Sequence, residues 1–398
     1  MICNSYAIIC EYNPFHYGHL HQIDTLRQNG AEFIICIMSG NFTQRGDAAI
    51  MPKYERALSA IACGADLVLE LPFPFSCAYA EAFAAAGVRI AEQAGAQFLS
   101  FGSECADIKA LSEVADVSLS DDFLHKLSKG DQSYGNTAYI KLLEESCGVT
   151  LASNDILGFQ YIREIKKQGL RLTPTCIKRT GAEYNSESLC STDGKPSSAA
   201  AIRRAISEGK DISEYVPDAV MTIFNRMKKQ SCAPTDKKLL ERAVLLHFRV
   251  TPPEHHADVA DMPTGFAERM YRAACGSTSL DQMTDTLRNA SFSEARIKRL
   301  MLFCICGVKR SDMQADSVKY AHLLAANENG RRYLAMLRKG GNDFIVTKTA
   351  DIKKLGDTDS RQAELEKRAD SLYTMLMPCA KESDYFIKTS PYIRCNGK

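Results

Sequence analysis

The sequence predicts an α/β chain, a Rossmann-like parallel sheet followed by a mainly helical part. Three observations predict it. Five short apolar runs, at residues 6–10, 33–38, 66–70, 97–101 and 171–177, read as buried strands. Segments with helical spacing separate most of these runs, the alternation of a parallel sheet whose ligands lie beyond the C-terminal strand ends. From about residue 211 onward, helical patterns follow one another with only short breaks. The expected division is therefore 1–230 for the sheet domain and 231–398 for a mainly helical, basic domain.

The first run, Tyr6 to Cys10, leads into Glu11-Tyr12-Asn13-Pro14-Phe15-His16-Tyr17-Gly18-His19. Leu20, Ile23, Leu26 and Arg27 then set a helical spacing that stops at Asn29-Gly30. The second strand ends in Ser39-Gly40-Asn41-Phe42-Thr43-Gln44-Arg45-Gly46, a strand-end loop from which Gln44 and Arg45 reach toward a ligand. A helix over 53–63 and a third strand follow. Pro72-Phe73-Pro74-Phe75 excludes a helix there. Helix resumes near Tyr79 and runs to about Glu92. The fourth strand ends in Gly102-Ser103-Glu104, where glycine permits close approach of a ligand.

Residues 107–148 read as helical, with breaks near Ser120 and Gly130, and Ser153-Asn154-Asp155 offers the cap of the next helix. The fifth strand ends in Lys178-Arg179-Thr180. Ser198 caps a helix over 199–208 that carries Arg203, a second arrangement suited to phosphate. Residues 212–229 read as helical and 231–236 as a linker. Helices from Lys237 break near Thr251-Pro252-Pro253, Gly276 and Gly307. Glu254-His255-His256 reads as surface. Basic residues cluster at 296–299, 309–310, 331–332, 338–339 and 353–354.

The chemistry concentrates in the turn after the first strand. Amides at a helix start lack internal partners and favour an anion, most often phosphate. His16 and His19 lie three residues apart, so both rings face one side of a helical turn. Two donors aimed at a phosphorus centre stabilise charge there without acting as nucleophiles. The plain alternative is a pair of surface histidines after a core strand.

Composition is that of an ordinary globular chain, 45% hydrophobic and 24% charged with net charge +1. No apolar run is long enough to span a membrane, and no signal peptide is expected. No cysteine pair has the C-x-x-C spacing of a zinc site. Cys36, Cys63, Cys77, Cys304 and Cys306 read as small core residues, with reduced thiols in a cytoplasm. Residues 1–230 carry more acid than base and residues 231–398 the reverse. That asymmetry permits a polyanionic partner for the second part.

The His-x-Gly-His turn resembles the motif that defines the nucleotidylyltransferase superfamily. "EYNPFHYGHL", "MSGNFTQRG", "DLVLELPF", "FGSE", "SNDILGFQY" and "SSAAAIRRAI" together resemble the bacterial tRNA(Met) cytidine acetate ligase family. The likeness is densest over about the first 210 residues and looser through "KYAHLLAANENGRRYL" and "RADSLY". It implies an ATP-dependent enzyme that activates acetate as acetyl-adenylate, releases pyrophosphate, and acetylates the wobble cytidine of elongator tRNA(Met). It implies ATP contacts at Ala7, Ile8, Ile9, Cys10, Glu11, Tyr12, Asn13, Pro14, Phe15, His16, Tyr17, Gly18, His19 and Leu20, and at Gly102, Asn154, Arg179 and Thr180. His16 and His19 would be catalytic, with Ser198 and Arg203 in the place of a further phosphate motif. Mg²⁺ would arrive with ATP, and the basic C-terminal helices would hold the tRNA. Two other readings stay open. One is an adenylyltransferase acting on a small phosphate ester or nucleotide. The other is a tRNA- or ribosome-binding protein without turnover.

Overall fold

Alternate residues of the central strands face opposite sides of one sheet, and both sides are covered. Along Phe33–Ser39, Ile34, Cys36 and Met38 enter one core, whereas Phe33, Ile35 and Ile37 enter the other. The computed structural model describes residues 4–123, 136–179, 198–289, 291–348 and 360–393. Their elements begin with β1 (Ser5–Cys10), α1 (Tyr17–Gln28), β2 (Phe33–Ser39), α2 (Lys53–Ala62), β3 (Leu67–Leu71), α3 (Ala80–Gln93) and β4 (Phe98–Ser103). Then come α4 (Ile108–Leu119), α5 (Asn136–Cys147), α6 (Ser153–Gln168), β5 (Thr173–Lys178) and α7 (Ala199–Ser207). The second half holds α8 (Asp218–Lys229), α9 (Lys237–Val250), α10 (Phe266–Gly276), α11 (Leu280–Leu287) and α12 (Glu294–Cys306). It ends with β6 (Ala321–Ala326), α13 (Glu328–Lys339), β7 (Ile345–Val346), α14 (Ser360–Thr374), α15 (Tyr385–Lys388) and β8 (Tyr392–Ile393).

The strands run in the order β5-β4-β1-β2-β3-β6-β7, with β8 also paired to β6. β1 to β5 are mutually parallel. The chain steps outward one way through β2 and β3, and the other way through β4 and β5. The direction reverses between β1 and β4, the place where an open α/β sheet leaves a crevice for ligands.

The sheet runs across the division expected at residue 230. β6 pairs antiparallel with β3, Leu67 opposite Ala326. Its sequence, Ala-His-Leu-Leu-Ala-Ala, favours helix in isolation. Tertiary context overrides that preference, because Leu323 and Leu324 enter opposite cores as β alternation requires. Asn327 then caps α13 and ties it to the sheet, donating from Nδ2 to Asp66 Oδ1 at 3.0 Å and accepting from Gly330 N at 2.9 Å. Gly330 lies against the Asp66 carbonyl so closely that a Cβ there would sit 2.0 Å from it.

α14 closes the far ends of β2 and β3 through a buried ionic group. Lys53 Nζ lies 2.9 Å from Glu70 Oε1 and 2.8 Å from Asp370 Oδ2. Asn41 Nδ2 donates to Asp370 Oδ1 at 2.8 Å, and Asn41 Oδ1 accepts from Lys53 N at 2.9 Å. Beside them Glu366 accepts from the Tyr320 hydroxyl and from Gln362 Nε2, each at 2.8 Å. Burial, then the Glu70 charge, pushes the Glu366 carboxyl up to about 8.

Other expectations need adjustment. The supposed linker at 231–236 is a docked turn, with Cys232 and Ala233 buried. His256 is buried against His247 and Phe248 instead of lying on the surface. The helix expected from residue 212 begins only at Asp218, because Pro217 supplies its cap position. Cys36, Cys63, Cys77, Cys304 and Cys306 are buried free thiols as expected. Among the described residues no helix is long and apolar enough to cross a membrane.

Candidate functional site

The turn between β1 and α1 lies at the crevice between β1 and β4. Tyr12 takes a positive φ of 47° there. Arg56, fully buried, fastens the neighbouring strand ends by donating to the carbonyls of Glu11, Ser39, Gly40 and Met51. Asn13 Oδ1 accepts from Ile50 N at 2.9 Å, and the Asn13 carbonyl accepts from Arg203 at 2.8 Å. The turn is therefore held from two sides before any ligand arrives.

His16 caps α1. Its Nδ1 accepts from Gly18 N at 3.0 Å, and its own backbone N–H donates to His19 Nδ1 at 3.2 Å. Both Nδ1 atoms act as acceptors, so each ring carries its proton on Nε2. The rings stack with centroids 3.7 Å apart, and Tyr12 and Phe15 brace His19 at 4.8 and 5.5 Å. Burial, then the charges of Arg179 and Arg203, pulls the His16 pKa down to about 3. Burial, His16 and Arg179 hold His19 well below the usual imidazole range. At neutral pH the pair is thus two uncharged N–H donors beside cations.

One expectation changes here. The first amides of α1 are not left over for an anion. Tyr17 N is within 3.4 Å of the Tyr215 carbonyl, and Gly18 N is used by His16. The groups this corner leaves to meet an anion are the imidazole Nε2–H groups and Arg179.

The opposite wall is built from β4, β5 and α6. Gly102 leaves room for Arg179, whose Cγ lies 3.2 Å from where a Cβ would stand. Arg179 Nε lies 3.5 Å from Glu104 Oε1, which also accepts from Asn154 Nδ2 at 2.5 Å. Asp155 fixes this loop from below: its Oδ1 accepts from Ser103 Oγ at 2.6 Å, Glu104 N at 3.0 Å and Cys105 N at 3.2 Å. Asn154 is a first-turn residue of α6 that faces the crevice, and Ala152 holds the cap position.

The crevice is lined by Ile8, Ile9, Cys10, Glu11, Tyr12, His16, Gly18, His19, Gly102, Asn154 and Arg179 of the expected set. Ala7 and Phe15 point into cores, Asn13 and Pro14 are buried in the turn, and Tyr17 faces outward; none of these lines it, nor does Leu20. Ser198 caps α7 through Ala201 N, and Arg203 reaches the turn's backbone. Thr180 lies outside the described residues. Gln44 is tied to the site by its N–H, which donates to Glu11 Oε1 at 2.9 Å. Arg45 is exposed on the same loop.

Sequence reasoning missed His21, Gln22, Phe101, Leu157, Tyr161, Ile177 and Lys178, which also line the crevice. A signal existed for several. Asn154, Leu157 and Tyr161 share one helical face by spacing, as do Gly18, His21 and Gln22. Arg56 and Asp155 gave none, because what they hold is distant in sequence. Among the described residues no group of three or more His, Cys, Asp or Glu is placed to hold a metal ion.

A family model described as HIGH Nucleotidyl Transferase matches residues 3–386 of this chain. A tRNA(Met) cytidine acetate ligase of Caldanaerobacter subterraneus subsp. tengcongensis is 32% identical, across 93% of this chain and 94% of that one. Its counterpart in Syntrophotalea carbinolica is 31% identical, across 96% and 97%. Thermotoga maritima TmcAL in its apo form I superposes with a TM-score of 0.91 at 28% identity, covering 99% of this chain and all of that one. The same protein bound with alpha-thio ATP gives 0.88 at 27% identity, with the same coverage.

Proposed function

The chain belongs to the tRNA(Met) cytidine acetate ligase family of HIGH nucleotidyl transferases, and from that premise we propose how its crevice works. It is an ATP-dependent ligase. An acetate oxygen attacks the α-phosphorus of ATP, the bond to the β-phosphate oxygen breaks, and pyrophosphate leaves. The exocyclic amine of the wobble cytidine in elongator tRNA(Met) then attacks the acetyl carbonyl. AMP leaves, the amine loses a proton, and N(4)-acetylcytidine remains.

The observation that carries the reading is the stacked, uncharged pair His16 and His19 beside Arg179. Neutral imidazoles donate Nε2–H to phosphate oxygens without the cost of burying two more positive charges. As negative charge grows on the equatorial oxygens, those donors are already in place. Arg179 counters the triphosphate, sliding over Gly102 to reach it. Phe101 and Tyr161, 5.8 Å apart, form an aromatic wall for the adenosine end, with the backbone of residues 8–12 opposite. Arg203 and Ser198 act on the phosphates through the turn and cap they hold. Mg²⁺ brought by ATP would be held by the nucleotide beside His16, His19 and Arg179 and would supply further charge neutralisation. The setting is the cytoplasm, where tRNA is modified.

The test is pyrophosphate release from ATP with and without acetate and elongator tRNA(Met), followed by mass spectrometry of the tRNA nucleosides. Acetate-dependent release with new acetylcytidine is expected. Release indifferent to both acetate and tRNA would replace the ligase by a small-molecule adenylyltransferase.

A further inference from the structure

We infer that the turn joining α8 to α9 is the surface that grips the phosphate backbone of the RNA substrate. This rests on the ligase reading, and its test separates the two.

Among the described residues, many cations of the basic clusters visible in the sequence already meet a partner within the protein; Lys353 and Lys354 lie outside the described residues. Arg296 pairs with Asp261 at 2.7 Å and Lys298 with Asp47 at 3.1 Å. Arg299 donates to the Gln44 carbonyl at 3.1 Å, and Arg310 to the Met262 carbonyl at 3.0 Å. Arg338 donates to Thr347, and Arg332 lies over the Phe33 ring. These cations hold helices to the sheet domain or to each other.

The α8–α9 turn is different. Lys228 and Lys229 end α8, and Lys237 and Lys238 begin α9; all four are exposed and have no ion-pair partner among the described residues, Lys228 lying over the Phe224 ring of its own helix with Nζ 5.9 Å from the centroid. The nearby carboxylates are occupied. Asp236 caps α9, Glu241 Oε2 accepts from Leu280 N, and Glu55 pairs with Arg226. Lysines in the first turn of a helix also oppose its dipole, so Lys237 and Lys238 sit where local preference would put acids. Asp236 caps this helix start, and the two lysine charges that follow it stay turned to solvent. A polyanion supplies the missing charge, and repeated phosphates match several lysines on one rim.

The turn is rigid and connected to the nucleotide crevice. Ser231 O accepts from Cys379 N at 2.9 Å, and Asp236 N donates to Leu376 O at 2.8 Å. Thr235 Oγ1 donates to Ala49 O at 3.1 Å, and Thr235 N to Ile50 O at 3.3 Å. Ile50 N in turn donates to Asn13 Oδ1, in the turn that carries His16. Two hydrogen-bonded steps therefore join Thr235, within this turn, to Asn13 in the turn that carries His16.

The experiment compares three proteins: the wild type, a variant with Lys228, Lys229, Lys237 and Lys238 all changed to Gln, and a charge-matched control with Lys109, Lys141, Lys319 and Lys339 changed to Gln. Each is assayed for elongator tRNA(Met) binding across a salt series, for acetate-dependent ATP–pyrophosphate exchange, and for tRNA acetylation. The rim variant should bind tRNA at least about tenfold more weakly, with a salt slope shallower by about 0.7–0.9 for each phosphate it no longer neutralises. Its pyrophosphate exchange should match wild type, and the control should bind normally. Acetylation by wild type with an unchanged affinity and slope in the rim variant overturns the inference and leaves the ligase standing. Wild-type binding that depends on the rim, without acetylation, overturns the ligase and leaves the surface standing.

Discussion

Two neighbouring strand-end regions of the same sheet meet opposite fates. At the ends of β2 and β3, α14 arrives from the far end of the chain and fills the space with Asp370 and Glu366, which Lys53, Asn41, Tyr320 and Gln362 satisfy. At the ends of β1 and β4 none of the described residues fills the crevice. Its donors, the two Nε2–H groups and Arg179, face a cavity lined by mixed polar and aromatic groups. Both regions bury polar groups at strand ends. One is closed by its own counter-charges, and the other keeps donors in hand for a ligand that brings the charge. The lesson is that the site is found by asking which buried polar groups the protein leaves to be completed from outside.

The comparison breaks first at Lys53. Removing it by Lys53→Met leaves Glu70 and Asp370 buried without their cation, and stability should fall by about 3–5 kcal/mol in urea unfolding. A loss below about 1 kcal/mol would show that the closed end is not held by charge. At the open end, His19→Ala should lower the rate of pyrophosphate release by about 10²–10³-fold, the cost of one preorganised donor. Its thermal melt should stay near wild type; an unchanged rate would remove His19 from catalysis.

The pH dependence of stability tests both regions together. The folded pKa values of His16, His247 and His322 lie at about 3, 4 and 4, against 6.5 when free. Between 6.5 and those values the unfolded chain binds protons that the fold refuses, so stability should fall as pH drops through that window. Glu366 acts in reverse. Its folded value of about 8 lies above the ordinary 4.5, so its contribution is present below 4.5 and is lost as pH rises toward 8. Glu366→Gln should therefore flatten the alkaline side of a Tm-against-pH curve; an unaltered curve would show that this carboxyl does not set it. The smallest effect is expected at Gly102→Ala. The added methyl displaces Arg179 by a few tenths of an ångström, and the KM for ATP should rise severalfold, worth about 1 kcal/mol, with Tm unchanged.

The parallel sheet was legible because Phe33, Ile35 and Ile37 on one face and Ile34, Cys36 and Met38 on the other make an unbroken apolar run. The histidine pair was legible because cap and helix lie within four residues. What stayed hidden depends on distance along the chain. β6 is a strand only because β3 offers an edge to it, and alanine carries no strand signal. Asp155 looks like an ordinary helix-start acid until Ser103 and Glu104 are placed above it. His256 looked exposed beside prolines, and only His247 and Phe248, on α9, bury it. The lysine rim was divided in two by what read as a linker.

The pairing of β6 with β3 has a consequence for how the protein comes into being. A ribosome releases β1 to β5 long before residue 321, so through much of synthesis β3 presents an unpaired apolar edge, Leu67-Val68-Leu69, to the cell. The nascent chain is therefore sticky until β6 emerges. An ATP-binding fragment cut at the apparent domain boundary would carry that edge permanently. The sheet that carries the crevice is complete only once β6 has been made.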